Sequence, residues 1–255
     1  MSQVLEVTRE DRVLRLTLNR PDKRNAMSNE LCGAIVAAVE AAQADANVGS
    51  ILLDAHGEVF CAGMDLDEAT SPGAVSSTVV HERLFTMAAW TRKPIVAAVN
   101  GPALGGGLGL VANAHIAVAS HGVSFGLTEI RIGMWPFVIW RAVVASLGER
   151  RALALALTGR IFSVNEALQW GLVHEVTPPF ELDDRATAVA QHLSESSPQA
   201  MALGLEYVAR SRGLATDEAG RLALEIRAQA FASDDFREGV AALREKRKPQ
   251  WTSRG

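Results

Sequence analysis

The stretch that decides the fold is residues 100–109, which read NGPALGGGLG and directly follow the apolar run Ile95–Val99. A second glycine-containing turn, residues 60–66, reads FCAGMDL and lies a few residues after the apolar run Ser50–Ala55. Both runs are typical of buried strands, and each turn precedes a segment that can be helical. The sequence therefore predicts two strand–turn–helix units of similar design.

Turns of this kind let backbone N–H groups approach a ligand closely, because no side chain stands in the way. Two turns from separate strands can direct their N–H groups at one oxygen atom, which is how an oxyanion hole is built. The second turn lacks the Gly-Lys-Ser/Thr ending of a P-loop and the spacing of a dinucleotide-binding fingerprint. The two turns together predict an enzyme that acts on an activated carbonyl.

The composition of the chain is that of a globular enzyme. Its 255 residues are 48% hydrophobic and 21% charged, which suffices for one large core or two small domains. The net charge of −4 argues against a nucleic-acid partner, and the apolar runs are too short for a membrane span. Cys32 and Cys61 have no metal-binding spacing, so we expect buried thiols in a reducing compartment and no metal. The N-terminal pattern is unlike a leader peptide, and we expect a cytoplasmic protein.

Periodicity predicts the other elements of a mixed α/β fold. Alternating residues predict strands over 5–8 and 13–18, and apolar runs predict strands over 115–119 and 172–176. A mobile loop is expected over 72–77.

Capping signals predict where the helices begin. Ser28 is expected to cap the first long helix, and Ser163 with Glu166 forms a capping box before another. The pattern predicts a helix over 81–91 and, from Ser197, a series of helices that reaches Lys246.

Five segments in order along the chain resemble the crotonase superfamily, also called the enoyl-CoA hydratase/isomerase family. They are residues 19–28, 60–66, 100–110 and 125–129, and the C-terminal residues 236–239 with 245–249. The resemblance implies an α/β fold of the ClpP/crotonase type, with a spiral of repeated strand–strand–helix units over residues 1–196. It also implies a helical region over residues 197–255 that packs subunits into a homotrimer or homohexamer.

The resemblance also implies the site. The substrate is then an acyl-CoA, whose CoA is part of the substrate, and no separate cofactor is expected. The thioester oxygen accepts hydrogen bonds from the N–H groups of Met64 and Gly106, while Glu129 transfers protons at the α-carbon. Mostly apolar neighbours are expected to bury Glu129 and raise its pKa. The substrate- and CoA-binding residues implied are Lys23, Arg24, Ala26, Ala62, Met64, Asp65, Leu66, Gly106, Trp135 and Lys248, the last from a neighbouring subunit.

One departure from the family pattern bears on the reaction. Hydratases of the family usually carry a second glutamate where this chain has Gly109. A 1,3-proton shift needs one carboxylate, so the departure favours double-bond isomerisation over hydration. A replacement base from His81, Glu82 or Asp67 stays open. So do a hydratase of branched glutaconyl-CoA substrates with another water activator, and a catalytically inactive acyl-CoA-binding oligomer.

Overall fold

The computed structural model describes residues 4–71 and 78–254 and shows a mixed α/β fold with a helical C-terminal region. The loop predicted over 72–77 lies outside the described residues. The strands are β1 (Leu5–Glu10), β2 (Val13–Leu18), β3 (Ser50–Ala55), β4 (Ile95–Val99), β5 (Ala103–Leu104), β6 (Ile116–Ser120), β7 (Ser124–Gly126), β8 (Ile161–Ser163) and β9 (Glu175–Thr177). The helices are α1 (Asn29–Ala44), α2 (Leu66–Ala69), α3 (Thr78–Phe85), α4 (Met87–Trp90), α5 (Gly106–Asn113), α6 (Trp140–Leu147), α7 (Glu149–Thr158), α8 (Val164–Trp170), α9 (Leu182–Ser194), α10 (Pro198–Ser211), α11 (Thr216–Ala232) and α12 (Asp234–Glu245).

The main sheet has six strands in the order β1-β2-β3-β4-β6-β9. All neighbours in it are parallel except β1, which pairs with β2 as an antiparallel hairpin. Both faces of this sheet are covered, which is why β4 is an unbroken apolar run rather than an alternating one. In a parallel sheet the carboxyl ends of neighbouring strands share one edge, so the turns that follow β3 and β4 meet there.

Two apolar layers hold the sheet. On one side, α9 packs its buried face (Leu182, Ala186 and Ala190) against Leu52 and Val96 of the strands. On the other side lies the larger core, to which α1, α5 and the second sheet contribute. The sheet from which the two glycine turns start is therefore held by packing on both of its faces.

The second sheet has the order β5-β7-β8 and was not predicted from the sequence. Its strands are only two or three residues long, too short for an alternation to be recognised. In the pairing of β5 with β7, Ala103 lies opposite Phe125 and Leu104 opposite Gly126. This sheet joins the second glycine turn to the segment that contains Glu129.

Several local predictions are confirmed. The strands β2, β3 and β4 have the predicted bounds. Ser28 caps α1 by accepting a hydrogen bond from the Leu31 N–H, the capping box of Ser163 and Glu166 is formed, and Ser197 caps α10. These signals depend on residues three or four apart, so the sequence alone carries them.

The single helix predicted over 81–91 is wrong. The structure has two helices there, α3 and α4, separated at Thr86. The Thr86 hydroxyl donates to the carbonyl of Glu82 at 2.9 Å, and such back-bonding competes with a regular helix.

Two predicted strands are displaced. The strand predicted over 115–119 is β6, which begins at Ile116, because the His115 ring accepts the Ile95 N–H at 2.9 Å in place of a ladder bond. The strand predicted over 172–176 is present only as β9. The N–H groups of Leu172 and Val173 donate instead to the carbonyl of Ala167 in α8.

The helices after residue 197 have two kinds of surface. Leu222 and Ile226 are buried, whereas Leu224 is 66% exposed and Phe231 is 49% exposed. None of the helices in the described part of the chain is long and apolar enough to cross a membrane.

Candidate active site

The two glycine turns lie side by side, joined by backbone hydrogen bonds. Cys61 and Ala103 form an isolated parallel bridge. In it, the Cys61 N–H donates to the Pro102 carbonyl at 3.2 Å and the Leu104 N–H donates to the Cys61 carbonyl at 3.0 Å. The ends of two different strand–turn units are thereby fixed to each other just before the residues predicted to form the oxyanion hole.

The direction of the Met64 N–H is set by its own peptide unit. That unit also contains the Gly63 carbonyl, which accepts the Met27 N–H at 2.8 Å. In a planar trans peptide the carbonyl and the N–H point in opposite directions, so the Met64 N–H points away from Met27. Within residues 4–71 and 78–254 it has no protein acceptor. It is a free donor at the turn, with the Met64 side chain 36% exposed beside it.

The Gly106 N–H is oriented in the same way by the start of a helix. The Gly105 carbonyl accepts the Gly109 N–H at 3.1 Å, so the N–H in the same peptide unit points out of the N-terminal end of α5. A Cβ atom built on Gly63 would lie 3.5 Å from the Gly106 nitrogen, which places the two turns in contact. A Cβ atom on Gly106 itself would lie 2.2 Å from Met27 Cε, so this position requires glycine as long as Met27 stays in place.

Glu129 is brought to the same place by the second sheet. The Gly105 N–H donates to the Gly126 carbonyl at 2.8 Å, and Glu129 begins a short 3-10 helix, Glu129–Ile132, three residues later. Its Oε1 atom lies 3.2 Å from a Cβ atom built on Gly105. The three residues predicted to be catalytic therefore converge on one edge of the fold, although the first and the last of them are 65 positions apart in the sequence.

The Glu129 carboxyl lies in an environment that disfavours its charged form. Its Oε2 atom is buried and has no hydrogen-bond partner among the residues described. Burial raises the pKa of Glu129 above the ordinary value for a glutamate, and a backbone hydrogen bond opposes this in part. A carboxyl whose pKa is raised in this way is suited to give and take a proton.

The N-terminal segment predicted to bind CoA runs beside the first turn. The Ala62 N–H donates to the Arg24 carbonyl at 3.0 Å, and the Asp65 N–H donates to the Met27 carbonyl at 3.2 Å. Lys23 is exposed and forms an ion pair with Asp67 at 3.3 Å. Ala26 is half-buried, and its carbonyl accepts a hydrogen bond from Arg20.

The other predicted residues occupy different surroundings. Leu66 is 51% exposed at the start of α2, while Trp135 is half-buried and packs on Trp140 with ring centroids 5.4 Å apart. Asp65 is buried and forms an ion pair with Arg20. Lys248 is exposed near the end of the chain, and its carbonyl accepts a hydrogen bond from Arg247.

Comparison with known proteins places this geometry in a family. A family model described as enoyl-CoA hydratase/isomerase matches residues 8–254. The chain belongs to the enoyl-CoA hydratase/isomerase family. It is 33% identical over 240 residues to a putative enoyl-CoA hydratase of Thermus thermophilus, covering 92% of this chain and 95% of that protein. It is 36% identical over 245 residues to the mevalonyl-coenzyme A hydratase of Aspergillus fumigatus, covering 94% and 91%.

A solved structure agrees with the family assignment. The crystal structure of an enoyl-CoA hydratase from Mycobacterium smegmatis has a TM-score of 0.92 to this chain at 29% identity, covering 98% of this chain and 99% of that one. The crotonase fold predicted from the sequence is thereby confirmed. As a member of the enoyl-CoA hydratase/isomerase family, the protein is an enzyme of acyl-CoA thioesters.

Neither thiol of this family member is available for nucleophilic chemistry. Cys32 and Cys61 are both fully buried, and burial raises the pKa of each to about 12. Both thiols are therefore protonated at neutral pH. The buried positions predicted for them from the sequence are confirmed. Within the described residues, no group of three or more His, Cys, Asp or Glu side chains could hold a metal ion.

Sequence reasoning missed four residues that shape the site: Arg20, Met27, Phe85 and Ile139. Arg20 and Met27 lie within the segment 19–28 that the sequence singled out, but their contacts with residues 63–65 could not be read from spacing. Phe85 and Ile139 lie on α3 and at the start of α6, and both contact the glycines of α5. A plain apolar residue gives no sequence signal for such a contact.

We expect Glu129→Gln to lower turnover about 10²- to 10⁴-fold while acyl-CoA still binds, because the amide keeps the shape but cannot transfer the proton. Initial rates and isothermal titration with an unreactive acyl-CoA measure the two effects. Near-wild-type turnover by the variant would show that Glu129 is not the acid–base group.

The Glu129→Gln substitution also tests whether burial raises the pKa of Glu129. Since the Glu129 pKa is higher in the folded than in the unfolded chain, the folded state binds more protons between the two values, and stability falls as pH rises through this window. The wild type should therefore lose thermal stability relative to Glu129→Gln between acidic and neutral pH. Glu82→Gln, at an exposed glutamate of α3, is the matched control for removing one glutamate charge from the surface.

Proposed function

We propose that the protein shifts the double bond of an enoyl-CoA between the 3,4 and 2,3 positions, with Glu129 as its single proton-transfer group. The observation that carries the proposal is the packing around Gly109. A Cβ atom built there would lie 2.4 Å from Ile139 Cγ2 and 2.9 Å from Phe85 Cε1. Ile139 is 1% exposed and Phe85 is 4% exposed, so both are part of the core. The space that a second carboxylate would need is filled by hydrocarbon.

The difference matters because hydration and isomerisation need different groups. Hydration must take a proton from water at the β-carbon and deliver one to the α-carbon, two tasks that a pair of carboxylates divides. Isomerisation moves one proton between two carbons of the same substrate, and one carboxylate suffices. A site with one buried carboxyl and an apolar wall beside it suits the second reaction.

The proposed steps balance with Glu129 alone. The carboxylate removes a proton from C2 of a 3-enoyl-CoA, and the C2–H electron pair moves into an enolate whose negative charge rests on the thioester oxygen. The N–H groups of Met64 and Gly106 donate to that oxygen, each stabilising the transition state by about 3–4 kcal/mol. Glu129 then returns the proton to C4, and the double bond ends between C2 and C3.

Hydration is the second candidate, and His81 favours it. The imidazole is half-buried on α3, one helical turn before Phe85 and on the same face. It has no hydrogen-bond partner among the residues described, and burial lowers its pKa although the charge of Glu68 opposes this. A neutral imidazole can accept a proton from water. The relatives named above carry the word hydratase in their names, which supports this candidate too.

The two candidates differ in their preferred substrate. Isomerisation predicts rapid conversion of a 3-enoyl-CoA to the 2-enoyl-CoA, with hydration of the 2-enoyl-CoA at least about 100-fold slower, the factor that one missing acid–base group costs. Chromatography of the acyl-CoA products measures both rates. Fast hydration that His81→Gln abolishes would replace the first proposal by the second. An acyl-CoA-binding protein without turnover of either substrate would contradict both.

A matched pair of variants tests the apolar wall. Gly109→Glu alone should destabilise the protein, because a charged side chain enters a space occupied by Ile139. With Ile139→Gly added, the space opens, and we expect the ratio of hydration to isomerisation to rise. Ile139→Gly alone is the control; it should cost about 2–5 kcal/mol of stability without raising that ratio. An unchanged ratio in the double variant would show that a carboxylate at this position does not limit hydration.

We propose further that the protein assembles as a homotrimer or homohexamer through its C-terminal helices. Phe231 and Phe236 pack on each other at 5.0 Å yet remain partly exposed, and Leu243 is 80% exposed. A groove of about 300 Å³ between α10 and α12 is lined mainly by apolar side chains. Exposed apolar surface of this kind marks a contact site. In such an assembly Lys248 would reach the CoA phosphates of a neighbouring subunit, and Lys23 and Arg24 those of its own.

Analytical ultracentrifugation measures the state of assembly directly. We expect a sedimenting species of three or six chains, and Leu243→Glu should shift it towards the monomer by placing a charge on the exposed apolar face. A wild-type monomer at micromolar concentration would contradict the assembly and, with it, the role proposed for Lys248.

A further inference from the structure

A partly buried ion pair lies directly beside the proposed oxyanion donor of Met64. Arg20 Nη2 is 2.9 Å from Asp65 Oδ2, and the two side chains are only 17% and 9% exposed. Ion pairs on the surface contribute little to stability. A pair with little exposure must recover the cost of removing both charges from water, through good geometry and further hydrogen bonds. Its position next to Met64 indicates a role in fixing the orientation of the turn.

Asp65 fixes the chain on the C-terminal side of Met64. Its Oδ1 atom accepts the N–H groups of Asp67 and Glu68 and so caps α2, while its own N–H donates to the Met27 carbonyl. Burial raises the pKa of this carboxyl, but the hydrogen bonds from Arg20 and from the start of α2 outweigh it, and the net pKa is lowered. Asp65 is therefore ionised at neutral pH, and both of its carboxylate oxygens accept hydrogen bonds from within the protein.

Arg20 connects Asp65 to the segment that pairs with the turn. Its Nη1 donates to the Ala26 carbonyl at 2.5 Å, one residue before Met27, which holds the Gly63 carbonyl. Its backbone N–H donates to Asn25 Oδ1, and the fully buried Asn25 amide donates to two further carbonyls. The Arg20 guanidinium thus holds both residues that flank Met64. It contacts Asp65 directly. It holds Gly63 indirectly, because it fixes the Ala26 carbonyl next to Met27, whose N–H donates to the Gly63 carbonyl.

We propose that Arg20 and Asp65 are positioning residues that hold the Met64 N–H in the direction of the thioester oxygen, so that Asp65 acts within the protein and does not contact the substrate. The inference rests on the proposed function, because it concerns the oxygen on which the enolate charge develops. An oxyanion donor works only when it is held in place before the reaction. Without the ion pair, the Met64 peptide loses its fixed orientation and the oxygen keeps one firm donor, from Gly106.

Two conservative substitutions separate the ion pair from the rest of the turn. Asp65→Asn keeps the shape and the cap of α2 but removes the charge. Arg20→Lys keeps the charge but cannot reach Asp65 and the Ala26 carbonyl together. Arg9→Lys is the matched control, since Arg9 pairs with Asp45 at 3.3 Å on the exposed surface. Thermal unfolding identifies which variants are folded.

We expect kcat to fall about 10- to 100-fold in both site variants, less than the loss of a whole donor, with KM within about threefold of the wild type. Arg9→Lys should change neither. The infrared C=O stretch of bound, carbonyl-labelled butyryl-CoA supplies a readout that general destabilisation does not move. It should lie below the solution frequency in the wild type and return towards it in Asp65→Asn and Arg20→Lys.

The outcomes distinguish a failure of the positioning role from a failure of the proposed function. Folded Asp65→Asn or Arg20→Lys with wild-type kcat and an unchanged carbonyl frequency would overturn the positioning role. A rise in KM without a change in kcat would show instead that Asp65 contacts the substrate. If the wild type neither converts enoyl-CoA nor lowers the carbonyl frequency, the proposed function itself fails. Glu129→Gln should lower turnover about 10²- to 10⁴-fold and keep the lowered frequency, which separates proton transfer from polarisation.

Discussion

The bridge between Cys61 and Ala103 is the interaction on which the rest of the site depends. It joins the turns that follow β3 and β4, so that the N–H groups of Met64 and Gly106 are held in one place. Each of these peptides is oriented from behind, by Met27 in the first turn and by the start of α5 in the second. Because a peptide unit is rigid, fixing its carbonyl also fixes its N–H, and no side chain has to reach into the site.

The same arrangement leaves little room for a side chain at position 106 or 109. Gly106 is packed against Met27 and Phe85, and Gly109 against Phe85 and Ile139, so three side chains from three distant segments fill the space around the two glycines. Interiors are close-packed, and a change at one of these positions must be accommodated by the others. The lack of room for a side chain at position 109 is thus a property of the whole wall rather than of Gly109 alone.

The two carboxyls near the glycine turns have pKa values shifted in opposite directions. Glu129 has one buried oxygen without a partner in the described chain, and its pKa is raised, which agrees with the proton-transfer role proposed for it. Asp65 is also buried, but Arg20 and the N-terminal N–H groups of α2 hold it in the charged form. The hydrogen-bond partners, rather than burial itself, decide in which direction the pKa of each carboxyl is shifted.

The sequence by itself determined the elements whose signals are local. The bounds of β2, β3 and β4, the caps of α1, α8 and α10, and the two glycine turns depend on residues that are neighbours in the chain, and the order of five segments identified the family. Only the tertiary structure decided what depends on contacts across long separations. The bridge between the turns, the ion pair of Arg20 with Asp65, and the closure of the Gly109 space by Ile139 join segments that are about 30 to 45 positions apart, and no periodicity records such contacts.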